Sequence, residues 1–326
     1  MKKFLALALA LITATALMTG CGGGAGGSSD GASAGSLTFT TGGDQGTYYG
    51  FGSVLASQVS GDTDTQVTAI TSGGSQANIE ALEAGDAQIG FVQSDVMAYA
   101  YEGTNLFEGA AVTDFSVVAA LYMEQVQIVT CDSSIKTVAD LKGKNVSIGA
   151  PGSGVYFNAI DILGVYGLSE DDIVPTYESF GDSADSLKDG KIDAAFVVAG
   201  APTTAITSLA TTNPVYLVSL DDEHIDKLIE ESPYYSKNTI SKDAYGLDAD
   251  VTTVAVAAVV IARDDASEDD IYNFVSDIYE NIDTISAAHA KGSELDLEYA
   301  ASMTTVPYHP GAAKYFAEKG YDVPVK

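Results

Sequence analysis

Leu82-Glu83-Ala84-Gly85-Asp86-Ala87-Gln88-Ile89-Gly90-Phe91-Val92 reads as the last turn of a helix, a glycine that ends it, and a buried strand. The same order returns at Leu187-Lys188-Asp189-Gly190-Lys191-Ile192-Asp193-Ala194-Ala195-Phe196-Val197. A helix that hands over to a buried strand through a capping glycine is part of a βαβ unit, so the echo predicts two related α/β lobes in one chain. Duplication and convergence both account for so short a match, and the geometry is the same in either case.

Working outward, short β-type runs alternate with helical spacing, which is the pattern of βαβ units and largely parallel sheets. Candidate strands lie at 37–41, 66–71, 88–93, 115–130, 145–149, 194–198, 215–219 and 251–262. The runs 115–130 and 251–262 exceed the usual five or six residues. Each is either a pair of strands or a segment crossing between lobes. Crossing divides the chain into lobe, lobe and return, with 36–125 and 255–326 in the first lobe, 126–254 in the second, and both hinges in extended segments.

Four turns share one design, a strand running into small residues before a helix that opens with hydroxyl or amide side chains. They are Gly42-Gly43-Asp44-Gln45-Gly46-Thr47-Tyr48, Ser72-Gly73-Gly74-Ser75-Gln76-Ala77-Asn78, Gly149-Ala150-Pro151-Gly152-Ser153-Gly154-Val155 and Gly200-Ala201-Pro202-Thr203-Thr204. Helical spacing follows each: Tyr48, Phe51, Leu55 and Val59; Ile79 and Leu82; Tyr156, Ile160 and Leu163; Ile206 and Leu209, with Pro202 expected at the first helical position. Helix starts at the carboxyl ends of strands form the crevice where open α/β sheets bind ligands, and their free N–H groups favour an anion. Alone, each turn is also an ordinary βα connection with an N-cap at Ser75 or Ser153.

That solution suits a chain with a single arginine, Arg263, which heads the acidic run Asp264-Asp265 and reads as a local ion pair. None of the turns carries a phosphate-loop or regular dinucleotide signature. Asp62 with Asp64, and Asp248 with Asp250, lack the loop a calcium site needs, and no metal or cofactor is expected. Gln93-Ser94-Asp95 ends a buried strand with Gln93 and Asp95 on one side. Asp95 there is either a counter-charge for a ligand ammonium or a cap on the next helix. His224 reads as solvated, His289 as a helix C-terminal cation, and His309, between two prolines, as a packing residue. No catalytic histidine stands near a nucleophile in sequence and no Gly-x-Ser-x-Gly elbow joins a candidate strand to a helix, so the protein is not read as an enzyme.

At the amino end, Met1-Lys2-Lys3 precedes an apolar run, 4–18, of roughly 15 residues, short of the roughly 20 that span a bilayer. Residues 1–20 therefore read as an export signal. Met18-Thr19-Gly20-Cys21 resembles a bacterial lipobox, which implies a lipid on Cys21. Residues 21–35, almost all Gly, Ser and Ala, are read as a flexible tether. Cys131 is then left without an intrachain partner and reads as a small buried apolar side chain. The formal charge of -30 repels nucleic acid and anionic lipid, while its screening beyond about 10 Å leaves a cleft free to bind a carboxylate.

The turns just quoted, with Phe91-Val92-Gln93-Ser94-Asp95, Pro233-Tyr234-Tyr235 and His309-Pro310-Gly311-Ala312, resemble the TAXI family of solute receptors for tripartite ATP-independent periplasmic (TRAP) transporters. The resemblance covers nearly all of 37–320. It implies an α/β, two-lobed fold of the type II periplasmic-binding-protein kind with a ligand cleft between lobes and extended hinges. It further implies a monomeric, exported receptor, lipid-anchored on the outer face of the cytoplasmic membrane, that delivers a small carboxylate such as glutamate, glutamine or a related dicarboxylate or oxoacid to TRAP membrane subunits. Carried over, the ligand-binding residues are Thr47, Tyr48, Ser75, Asn78, Gln93, Asp95, Ser153, Gly154, Val155 and Thr203. Many members continue with Thr-Glu where this chain has Val155-Tyr156, so a glutamate assignment does not transfer intact. The alternatives are a receptor for an ATP-driven (ABC) importer and an exported hydrolase using Ser75 or Ser153.

Overall fold

The computed structural model describes residues 35–326, so the leader, Cys21 and the tether through residue 34 lie outside it. Ten strands form one sheet: β1 (Gly35–Thr40), β2 (Thr65–Ile70), β3 (Ile89–Gln93), β4 (Phe115–Thr130), β5 (Asn145–Ser147), β6 (Val174–Thr176), β7 (Ala194–Ala199), β8 (Tyr216–Leu217), β9 (Ser236–Ile240) and β10 (Val251–Arg263). The main path runs β2-β1-β3-β10-β4-β7-β5-β6, with β8 on β4 and β9 on β10.

Read from either end, that order is the same pattern. Three parallel-paired strands, β2-β1-β3 or β6-β5-β7, meet a long strand that pairs antiparallel, β10 or β4. The echo sits at equivalent places in this pattern, since β3 and β7 each lie beside a long strand and are buried along their whole length. The two helix ends before them also match. Gly85 and Gly190 both take positive φ, and the same pair of bonds closes each turn: Gly85 N to Leu82 O with Asp86 N to Ala81 O, and Gly190 N to Leu187 O with Lys191 N to Ser186 O. A side chain here would meet the left-handed steric penalty that glycine avoids.

β4 and β10 are single strands of 16 and 13 residues that pair with each other over 115–125 and 255–263; past that register β4 pairs with β7 and β8, and β10 with β9. Their side chains change allegiance midway. One hydrophobic cluster takes Phe115–Tyr122 of β4 and Ala257–Ala262 of β10, together with the helices of 47–62 and 268–280; another takes Val126 and Ile128, Val254 and Val256, and the helix of 155–165. A smaller cluster on the far face of β7 holds Val197, Ile206 and Leu209, with Cys131 half-buried against it.

Three local readings are corrected. β6 and β9 went unanticipated because both are polar edge strands: β6 is three residues with Pro175 at its centre, tolerated on an edge, and β9 reads Ser-Lys-Asn-Thr-Ile. In the helix Val155–Val165 the inward face is Val155, Phe157, Asn158, Ala159, Ile162 and Leu163, leaving Tyr156 and Ile160 half-exposed. Pro202 precedes the N-cap Thr203 and so stands outside the helix Thr204–Ala210.

Candidate functional site

Across the cleft the glycine turns meet in pairs. The second turn faces the third: Ala77 N donates to Gly152 O at 2.9 Å. A Cβ on Gly73 would stand 2.6 Å from Pro151 O, and one on Gly154 would overlap Gln93 Oε1. Only hydrogen at these positions lets the two backbones come this close. The first turn faces the fourth, with Thr47 Oγ1 donating to Gly200 O at 3.0 Å and Ala205 N to Gln45 O at 3.2 Å.

A cavity of about 70 Å³ lies where these turns converge. The starts of four helices border it: Thr47–Asp62, Ser75–Ala84, Val155–Val165 and Phe180–Lys188. The first three have glycine at the N-cap and no side chain capping them, so Ser75 and Ser153 are not the caps that the turn chemistry suggests. The first-turn N–H groups stay unclaimed by any cap side chain, which is the arrangement that stabilises an anion. Ser75 Oγ instead accepts from Gln93 N at 3.1 Å. Ser153 is buried, and among the described residues its Oγ has no hydrogen-bond partner.

Of the residues expected to touch ligand, Thr47, Tyr48, Ser75, Gln93, Ser153, Gly154 and Val155 line this cavity. Three others do not. Asn78 is a structural bolt: its Oδ1 accepts from Thr40 Oγ1 at 2.7 Å and its Nδ2 donates to Thr41 O and Phe91 O at 2.6 and 2.7 Å. Thr203 is tied to Gly200 O, Gln127 Nε2 and Tyr245 Oη behind the fourth turn. The start of the Phe180–Lys188 helix borders the cavity where Thr203 was expected. Asp95 does project to the same side as Gln93, and both end on Asn158 from the opposing helix: Gln93 Nε2 donates to Asn158 Oδ1 at 2.7 Å and Asn158 Nδ2 to Asp95 Oδ2 at 2.8 Å. Tyr235 extends the network, accepting from Asn158 Nδ2 and donating to Asp161 Oδ2. Burial pushes Asp95 up from 3.8 to about 7, and Asp161 shifts the same way for the same first cause.

A model described as the NMT1-like family matches residues 39–320. The chain belongs to the NMT1-like family. Among solved structures it is similar to a protein of Bordetella bronchiseptica RB50, at 17% identity over 86% of this chain and 88% of that one with a TM-score of 0.52. It is also similar to a putative L-cystine ABC transporter from Listeria monocytogenes, at 17% identity, 82% and 98% coverage and a TM-score of 0.50. An ancestral arginine-binding protein bound to arginine matches at 15% identity, 79% and 97% coverage and a TM-score of 0.50. At such identities the likeness is one of fold, and this NMT1-like chain has the two-lobed type II periplasmic-binding-protein fold.

Two buried charged residues of the NMT1-like chain, one lining the cavity and one near it, escaped the sequence reading. Glu124 sits on β4 opposite Val256 of β10, where the two clusters meet, and lines the cavity at 2% exposure. Tyr48 Oη donates to its Oε2 at 2.6 Å, and burial drives its carboxyl up from 4.5 to about 8. The signal was present: a carboxylate inside an otherwise apolar strand is either paired or functional. Lys291, at 4% exposure, packs its stem where Gly200 has no side chain, with its ammonium held by Glu294 at 2.6 Å. A lysine therefore does stand behind the fourth turn, although it does not border the cavity.

The remaining charged candidates are structural. Arg263 grips Asp265 through Nε and Nη2 at 2.9 and 2.6 Å, the local pair expected. His309 caps the helix Pro310–Glu318 through Nδ1 and is buried. His289 is the C-cap of the helix Ile282–Ala288, at the helix end where it was expected; its Nδ1 caps the next turn, its ring lies against Phe51, and burial lowers its pKa. His224, expected in solvent, stacks on Tyr166 at 3.7 Å and pairs with Asp221.

Proposed function

We propose that this protein is the solute receptor of a membrane transport system and that it closes around a small carboxylate between its lobes. The observation that carries the reading is where the cavity lies: at the start of four helices from both sides of the cleft, beside the buried and unpartnered Ser153 hydroxyl. Helix-start N–H groups without a side-chain cap, beside a buried hydroxyl, complement a carboxylate without an arginine. The lobe boundaries expected near 125/126 and 254/255 place the hinge in β4 and β10. The TAXI-like motifs favour TRAP membrane subunits as partners, and an ATP-driven importer is the competing partner. The neighbouring coding sequences separate the two: a tripartite-type membrane protein supports the first, an ATPase with its permease the second.

The tethered chain without its leader should be stabilised by a C4 to C6 carboxylate, with glutamate, glutamine and 2-oxoglutarate as first probes. A solute at 100 times its dissociation constant adds about 2.7 kcal/mol, a rise of several degrees in thermal midpoint. The corresponding esters should give none, and Ser153→Ala should weaken binding by about 1–3 kcal/mol. Equal stabilisation by esters contradicts the carboxylate reading. Export and anchoring are tested apart from binding. Cys21→Ser should move the protein from the membrane fraction to the soluble one, and unchanged membrane association would place the anchor elsewhere.

A further inference from the structure

The cavity also has a negative group on its wall. The carboxylate of Glu124 is buried, borders the same space, and is bonded among the described residues only to the hydroxyl of Tyr48, from the first turn of the Thr47–Asp62 helix, through Oε2. Among the described residues no cation is paired with it: Arg263 is taken by Asp265 and Lys291 by Glu294. A buried carboxylate without a positive partner is unfavourable, and a protein keeps one where a ligand or a proton completes it. It sits on β4 where the two clusters meet.

We propose that Glu124 receives an ammonium group of the solute, so that the receptor selects zwitterionic amino acids over oxoacids of the same length. The proposal rests on the carboxylate reading above and narrows it. It also moves to Glu124 the counter-charge role that Asp95 could have held, since Asp95 is engaged by Asn158 outside the cavity.

The same geometry couples binding to a proton. Glu124 faces the Tyr48 hydroxyl from one helix, Asp95 from another, Tyr122 on its own strand, Tyr299 and, from the turn 290–294, the Glu294-bound Lys291. Burial is the main cause that raises its carboxyl, and Asp95 adds to it as it ionises, while the Tyr48 bond and Lys291 oppose them. An incoming ammonium reverses the balance, and the O–H proton leaves to buffer as the ion pair forms. A carboxyl raised by burial toward neutral pH thus gives up a proton as the solute binds.

The test is calorimetric titration at pH 7, in phosphate and in Tris, of matched pairs: L-glutamate and 2-oxoglutarate, L-alanine and pyruvate, L-leucine and 4-methyl-2-oxopentanoate. The amino acid of at least one pair should bind roughly tenfold or more tightly than its oxoacid and release protons, seen as a buffer-dependent enthalpy. In Glu124→Gln that preference should fall toward one and proton release should vanish, and Glu124→Asp should keep the release. Wild-type proton release needs no variant, so it stands even if a substitution impairs folding. Equal binding of amino acid and oxoacid, or proton uptake, overturns the role of Glu124 and leaves the carboxylate reading in place. If no member of any pair binds and no other carboxylate shifts the thermal midpoint, both fall.

Discussion

Asp95 keeps its proton at a pH where a solvated aspartate has lost it, because its oxygens are fully buried and only one accepts a side-chain hydrogen bond. Below about pH 4 folded and unfolded chains both hold that proton. Between there and about pH 7 only the folded chain does, so the stability Asp95 contributes fades as pH rises through this window. Asparagine is neutral throughout and can still accept from Asn158. The thermal midpoint of Asp95→Asn relative to wild type should therefore climb by several degrees between pH 4.5 and 8, reflecting on the order of a few kcal/mol; His289 and His309, common to both proteins, cancel. A constant difference across that range would show that Asp95 ionises normally. At this scale the sequence was readable where the glycine turns line the cavity, as at Thr47, Ser75, Ser153 and Gly154. It was unreadable at Asn78 and Thr203, whose polar groups serve backbone atoms brought near only by the fold. Glu124 was hidden inside a strand assigned to the hinge alone.

The glycine turns are legible as elements because a missing side chain constrains two backbones at once. Gly73 shows this most directly: its φ is not left-handed, so alanine there is free of local strain, yet the new Cβ meets the Pro151 carbonyl at 2.6 Å. A backbone atom cannot swing aside, and the lobes must stay apart. Gly73→Ala should fold normally, bind its carboxylate at least roughly tenfold more weakly, and stay more extended than wild type in small-angle scattering at saturating solute. Gly164→Ala, in a helix with nothing within 4 Å, is the matched control and should close as wild type does. Full contraction of Gly73→Ala would show that close approach of these turns is not needed. Strands β3 and β7 were predictable for a related reason, being buried on both faces and introduced by a capping glycine. The edge strands β6 and β9 were not, because their stability comes from pairing with a neighbour and leaves little trace in apolar pattern.

Across the whole molecule, the mirrored strand order and the two crossing strands make a hinge the natural motion: β4 and β10 run unbroken through both halves while the apolar clusters on either side share little of them. The cavity between the halves, about 70 Å³, is roughly half the ~150 Å³ apolar cavity that admits benzene. Under the proposed function, a solute of glutamate's size enters only if this cleft opens further. The exterior charge of -30 leaves this unaffected, since screening confines each surface charge to about 10 Å while the helix-start N–H groups act at contact. The most direct test is a crystal structure grown with the carboxylate that raises the thermal midpoint most. Density for the solute should lie between the starts of the Thr47, Ser75 and Val155 helices, with a carboxylate oxygen within hydrogen-bond distance of Ser153 Oγ and of first-turn N–H groups. Solute density anywhere else, such as the cleft between Tyr99 and Tyr234, would contradict the account.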